Sequence, residues 1–259
     1  MRGAPQRRLR ALISACAVAV ALTTWWLSTS VLGWIGPHRF PDPEAFVLAL
    51  RQIMFAQYAG APLFHHVATS VLLVLKGFLF ASVAGCALGL LMGLSPFWRD
   101  FLSPTFNLLR PIPPLAWIPL ALLWFGLGDT SKLFLITYAA FIPVVINTSA
   151  GVAQIDRPLL EAARVHGASG GIWLFQVILP GALPYIFIGL RLAMQTCWTV
   201  IVAAELLGAI TGVGKVLSSA KDDVYPGMVL VGMVTVAGLG IATTYLLEWT
   251  AERVVAWRR

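Results

Sequence analysis

Between Ala11 and Gly33 the chain carries 23 consecutive residues without a charge, and largely apolar stretches recur at about 67–93, 132–152, 183–207 and 228–247. A run of about 20 apolar residues, rising ~1.5 Å per residue, is long enough to cross a ~30 Å hydrocarbon layer. Inside hydrocarbon no water can pair the backbone, so each run must satisfy its own amides as a helix. The composition agrees, with 59% hydrophobic and 11% charged residues. These features predict an all-α integral membrane protein built as one unit, with no separate soluble domain.

A sixth span is expected at about 104–127, interrupted by Pro111, Pro113, Pro114 and Pro119. Its first part reads as an interfacial or broken segment ahead of a shorter crossing helix, because proline removes a donor and clashes with the preceding turn. A bend is expected in the fourth span near Pro143. An even number of spans returns both termini to one side. Arg2, Arg7, Arg8, Arg10, Arg99, Arg157, Arg164, Arg253, Arg258 and Arg259 fall on that side, against Arg39, Arg51, Lys132, Lys215 and Lys221 on the other. The basic bias assigns both termini to the cytoplasm.

The N-terminus MRGAPQRRLR followed by an apolar run is similar to a secretory leader. The run exceeds the ~7–15 residues of a leader core and ends in Trp-rich sequence without a convincing small-x-small cleavage site, so it is read as a retained first span following a cytoplasmic tail at 1–10. Cys16, Cys86 and Cys197 stand singly in apolar runs, which indicates neither a disulfide framework nor a zinc site. The net charge of +7 sits beside hydrophobic ends instead of forming an aromatic-interleaved stripe, which argues against nucleic acid as a partner.

Two further patterns concern packing. PDPEAFVLALRQIMF has apolar residues at helical spacing and reads as a helix lying on the outer face. Gly85, Gly89 and Gly93 recur every four residues, a small-xxx-small face that lets another helix approach closely.

The polar segment DRPLLEAARVHGASGG, between the fourth and fifth spans, is longer than a membrane hairpin requires. Asp156 can cap, Pro158 suits a first turn, Leu159 to His166 favour helix, and Gly167 can adopt the left-handed conformation that stops it. Ser169 can cap a second helix. Helix, glycine break and helix make a rigid cytoplasmic elbow over about 156–171, able to transmit force where a loose loop cannot.

Glu161, Ala162, Ala163, three residues, Gly167, nine residues, Val177, one residue, Leu179 and Pro180 resemble the EAA signature of permease subunits of bacterial ATP-binding-cassette importers. The family usually has Ile where this chain has Val177. RPIPPLAWIPLALLWFGLGDTSKLFL, NTSAGV, LPGALPYIFIGLRLA and VAAELLGAITGVGKVL resemble the branch that imports sulfonates, taurine and nitrate. The likeness covers roughly residues 65–255. It implies a type I, MetI-like permease of six transmembrane helices in the bacterial inner membrane, working as a homodimer with two cytoplasmic ATPase subunits and an extracytoplasmic solute-binding protein. It also implies that Glu161 contacts the ATPase, that Ala162 and Ala163 permit close approach, that Gly167 sets the turn, and that Leu179 and Pro180 anchor the elbow.

AITGVGKVL partly matches a phosphate-binding loop, but GxxxxGK[ST] needs Gly at 209 and a hydroxyl at 216, where this chain has Ala209 and Val216. ATP hydrolysis is therefore expected from another polypeptide, and the chain is not expected to be an enzyme or to need a cofactor. Glu205 ends the fifth span near the outer face, followed by Gly208, Gly212 and Gly214. It is either a gate or path-lining carboxylate together with Gly212 and Gly214, or an interfacial cap. Arg191 either fixes helix packing through a carbonyl or carboxylate or snorkels, and Lys76 is equally open. His65 and His66 read as interfacial polar residues. The competing function is a transporter or channel driven by an ion gradient, which commonly uses carboxylates in mid-membrane; only Lys76 and Arg191 are clearly ionisable inside spans here.

Overall fold

The computed structural model describes residues 4–255, without the side chains of residues 4–8, 10 and 11. Six of the arginines that weight the topology, at 2, 7, 8, 10, 258 and 259, lie outside those described side chains. Helix α1 (Ala4–Trp26) begins inside the expected tail and continues through a π-helical turn over Leu27–Val31. No residue of its most apolar window is buried. At its far end Trp25 meets Phe40 and Phe46 edge-on and donates its indole N–H to the Pro41 carbonyl at 2.9 Å.

Helix α2 (Pro43–Phe55) follows as expected, with Asp42 accepting the Ala45 N–H at 2.7 Å as its N-cap. The long spans are α3 (Leu63–Leu94), α6 (Asp129–Ala153), α9 (Leu179–Leu206) and α11 (Pro226–Val254). Helix α6 is the axis of the molecule, packed on one side by α3 and on the other by α9. Between helices in lipid the hydrophobic effect supplies little, and close van der Waals contact decides the pairing. Gly77, Ala81, Gly85, Gly89 and Gly93 supply it as one stripe of small residues along α3. A Cβ added at Gly85 would lie 2.8 Å from Val144 Cβ, and one at Gly93 would lie 2.6 Å from Val152 Cβ. The opposite face of α6 meets α9 as closely, since a Cβ on Gly189 would sit 3.0 Å from the Pro143 carbonyl oxygen. Helix α6 runs unbroken through Pro143, and Asn147 donates its side-chain amide to the Pro143 carbonyl at 2.8 Å.

The proline-rich span is broken more severely than the sequence suggests. Helix α4 (Pro96–Leu109) starts well before residue 104, and after Pro111 and Pro113 a 3-10 turn at Pro114–Trp117 leads into α5 (Ile118–Phe125) at an angle of 80°. At ~1.5 Å per residue the eight residues of α5 cannot cross a ~30 Å layer, so no shorter crossing helix stands alone here. Tyr138 on α6 steadies the break by donating its hydroxyl to the Leu109 carbonyl at 2.8 Å, one of the orphan acceptors at the end of α4. Its ring lies 5.1 Å from that of Trp117.

The connection after α6 forms α7 (Arg157–Val165) and a short α8 (Gly170–Trp173), which leads through a π-helical turn at Leu174–Ile178 into α9. After α9, a short loop opens α10 (Val213–Asp222). At the end remote from α7, α2, α10 and α11 share a small core of Ala49, Ile53, Val216, Ala220, Met228 and Val231.

Candidate functional site

Two constellations occupy opposite ends of the molecule. At one end, α7 is stopped by a complete Schellman motif. Gly167 adopts φ +84°, its N–H donates to the Arg164 carbonyl at 2.9 Å, and the Ala168 N–H donates to the Ala163 carbonyl at 3.0 Å. A Cβ at Gly167 would meet nothing within 4 Å, so glycine is needed for its dihedral angle and not for space. His166 reinforces the stop, donating its backbone N–H at 3.1 Å and its Nδ1 at 2.8 Å to the Ala162 carbonyl. Asp156 and Ser169 do stand at the two N-cap positions, but neither side chain makes a capping hydrogen bond; the Asp156 carbonyl instead receives Leu159 at 3.1 Å.

The elbow has two unlike faces. Leu160 packs inward on the cluster of Ile155, Ile178 and Ala182, where Leu179 and Trp173 also sit. Arg164 lies over the Trp173 ring at 5.8 Å. The other face shows Glu161 and Ala162 to solvent, flanked by Leu159 and Val165, which are 52% and 85% exposed. Leu159, Ala162 and Val165 recur every three residues and share one surface. Pro180, in the first turn of α9, is half-buried below it.

At the other end Glu205 is fully buried, and its surroundings are ordered by the start of α10. A helix begins with N–H groups that have no partner of their own. Here three in succession are met by side chains from the long spans. Gly212 N–H donates to His66 Nδ1 at 3.0 Å, Val213 N–H to Ser70 Oγ at 3.0 Å, and Gly214 N–H to Glu205 Oε2 at 2.7 Å. Ser70 donates its own hydroxyl to Glu205 Oε1 at 2.7 Å. Because His66 Nδ1 accepts, its proton resides on Nε2, which donates to the Tyr58 carbonyl at 3.0 Å. Each group is spent on holding backbone or carboxylate. Although Ser, His and Glu side chains meet here, the Ser70 hydroxyl turns to Glu205 and not to His66, which is not the relay of a nucleophilic triad.

The glycines are part of the fit. A Cβ on Gly212, whose φ is +133°, would lie 2.4 Å from Glu205 Cδ, and one on Gly214 would lie 2.5 Å from Glu205 Cβ. Both N–H groups are committed, so Gly212 and Gly214 act as packed contacts and not as flexible joints. The Glu205 carboxylate is enclosed among these groups. His66, expected at an interface, is likewise fully buried, whereas His65 is exposed. The cluster extends outward through Tyr58, which donates its hydroxyl to Asp223 Oδ2 at 2.7 Å. Desolvation and then that hydrogen bond hold the Tyr58 hydroxyl above its usual titration range.

Among the ionisable residues within spans, Arg191 bonds Glu248 of α11 at 3.2 Å, which selects the carboxylate partner from its open alternatives. Lys76 is exposed on α3 and borders a groove of about 300 Å³ with His65, Thr69 and Asp129. Sequence reasoning did not reach Ser70, Glu248 or α10, and it took His66 for an interfacial residue. The four-residue spacing of His66 and Ser70, continuous with the buried Val74 and the glycine stripe, is the signal that puts them on the inward face of α3.

The family described as "Binding-protein-dependent transport system inner membrane component" matches residues 77–256. The taurine transport system permease protein TauC of Escherichia coli K12 is 37% identical over 246 residues, covering 95% of this chain and 89% of that protein. The putative aliphatic sulfonates transport permease protein SsuC of Bacillus subtilis strain 168 is 34% identical over 242 residues, covering 93% and 85%. The nitrate import permease protein NrtB of Leptolyngbya laminosa is 37% identical over 193 residues, covering 74% and 69%. In fold, the chain is similar to a chain of the MetNI methionine transporter solved in inward-facing conformations, with a TM-score of 0.60, 24% identity, and coverage of 75% of this chain and 94% of that one.

Proposed function

Because the chain belongs to the binding-protein-dependent transport system inner membrane components, we propose that it forms the transmembrane path of an ATP-driven importer for a small oxyanion or zwitterion of the sulfonate, taurine or nitrate kind. The observation that carries the mechanism is the elbow. Its inner face is anchored to α9 by Leu160, Leu179 and Trp173, and its outer face offers a carboxylate, a small residue and exposed apolar side chains. Such a face suits a groove on a cytoplasmic ATPase, with Glu161 for polar contact and Ala162 and Ala163 for close approach. The Schellman stop at Gly167 makes the elbow stiff enough to pass ATPase closure into α9, with Leu179 and Pro180 at the joint.

The basic bias puts this end, and both termini, in the cytoplasm. The opposite end, with α2 and α10, then receives a solute-binding protein. The path is formed by two copies of the chain, as the resemblance to importer permeases implies. Two ATPase subunits serve the pair. In the alternating-access cycle, ATP closes the ATPase dimer, the elbows approach one another and the path opens outward; hydrolysis restores the inward-facing state. The cluster of Glu205, Gly212 and Gly214 holds α10 to the spans and serves as the outer gate's anchorage.

Reconstitution of the chain in liposomes with its ATPase and binding protein tests this. Uptake of taurine, methanesulfonate or nitrate is expected to require ATP, to survive ionophores, and to fall at least about tenfold in Glu161→Lys, an exposed site where stability should change by less than about 0.5 kcal/mol. Uptake that is abolished by ionophores, or unchanged in Glu161→Lys, would overturn the assignment.

A further inference from the structure

Helices α9 and α11 enclose an open groove of about 730 Å³ lined by Gln195, Thr199, Thr244, Tyr245 and Glu248 over a floor that includes Trp198. Its α11 wall, Val236 to Tyr245, falls in the middle of that helix, at the depth where hydrocarbon would surround a lipid-facing surface. The Gln195 amide and the Thr244 and Tyr245 hydroxyls make no hydrogen bond within the described residues, and Gln195 and Tyr245 are exposed. Polar groups left open in a bilayer must face water, solute or a partner. The outward face of α3 is different in kind: Leu72, Leu79, Phe80 and Val83 are exposed and apolar, interrupted by Lys76.

The groove is also built. The Trp198 indole donates to Thr243 Oγ1 at 3.0 Å and lies 3.8 Å from where a Cβ on Gly240 would stand, so the floor is fixed against α11. At the elbow end the Arg191–Glu248 ion pair joins the two walls. The pair neutralises the one carboxylate in the lining, leaving an amide and two hydroxyls as neutral donors. Neutral donors can accept a passing anion and release it, because conduction needs binding that is weak as well as favourable.

We propose that this groove is the chain's own wall of the translocation path, with Gln195, Thr244 and Tyr245 as successive contacts for a compact oxyanion. The inference rests on the importer reading and specifies which surface carries the solute.

The test uses the complete complex in lipid nanodiscs, with Cys16 and Cys86 replaced by alanine and the buried Cys197 retained. Gln195→Cys, Thr244→Cys and Tyr245→Cys are compared with Val83→Cys for modification by 2-sulfonatoethyl methanethiosulfonate, a charged reagent that reacts in water. The groove positions are expected to react at least about tenfold faster than Val83→Cys, as water-facing thiols do relative to lipid-facing ones, and to be slowed by millimolar methanesulfonate. Rates within about twofold of Val83→Cys, as lipid or a second copy covering the groove would give, overturn the proposal. Fast reaction indifferent to methanesulfonate overturns the oxyanion contacts. Slow reaction in a preparation that still imports solute removes the groove assignment alone. Fast, methanesulfonate-sensitive reaction in a preparation without ATP-driven import upholds the groove and removes the importer reading.

Discussion

The Glu205 carboxylate accepts the Gly214 N–H at 2.7 Å across nine residues of chain, and through its other oxygen it holds Ser70 of α3, 135 residues away. One buried carboxyl group thereby closes the loop before α10 and fixes that helix to two spans.

Glu205→Ala strands the Ser70 hydroxyl and the Gly214 N–H in a buried site, at a cost of about 1–3 kcal/mol for each unpaired group. Glu205→Gln keeps one acceptor oxygen but turns an NH2 group toward the other donor, so one of the two bonds survives and it should cost roughly half as much. Unfolding in mixed micelles against added dodecyl sulfate measures both, and equal stability of Glu205→Ala and the parent would refute the capping role. Gly212→Ala should resemble Glu205→Ala, because its Cβ would stand 2.4 Å from Glu205 Cδ.

At Gly167 the constraint is angular. Gly167→Asn should be tolerated within about 1 kcal/mol, since asparagine visits the left-handed region, whereas proline cannot reach a φ of +84°. Gly167→Pro should leave the chain in the membrane and lose ATPase co-purification, while Gly167→Asn keeps it. Loss of co-purification in both variants would point to the side chain and not the dihedral.

Along α3, Gly89→Leu should prevent α3 and α6 from meeting, because even a Cβ there would lie 2.9 Å from the Val145 carbonyl oxygen, and overpacking costs about 1–3 kcal/mol or more. Val83→Leu, on the exposed face, should be neutral. Detergent-extracted yield of monodisperse protein separates the two, and equal yields would mean that α6 can retreat.

Tyr58 supplies a pH dependence. Its folded pKa is raised above the ordinary value, so its contribution to stability is complete below about pH 10 and is lost as pH rises through the folded value. A tyrosinate absorbance titration of the folded protein should show a late step that Tyr58→Phe removes. A late step that persists in Tyr58→Phe would assign it elsewhere.

What was legible in the sequence was local. The spans follow from runs of about 20 apolar residues, the glycine face of α3 from its four-residue repeat, and the elbow's stop from one glycine among good helix formers. Even there, Asp156 and Ser169 show that a capping residue in the right place does not guarantee a capping bond. The helix, glycine and helix order of the elbow can be read from the EAA-like residues alone. The groups around Glu205 were not legible as a cluster, because His66 and Ser70 reach α10 from about 145 residues away and nothing local marks the meeting. Arg191 had several potential partners in sequence, and only the packing of α9 on α11 selects Glu248.

Helix α1 differs from the other spans in having no residue of its apolar window inside the molecule. A helix of this kind carries its insertion signal in its own sequence but not its address. Apart from the grip of Trp25 on Phe40 and Phe46, its position is left to lipid or to a neighbouring chain, and not to the fold of the other spans.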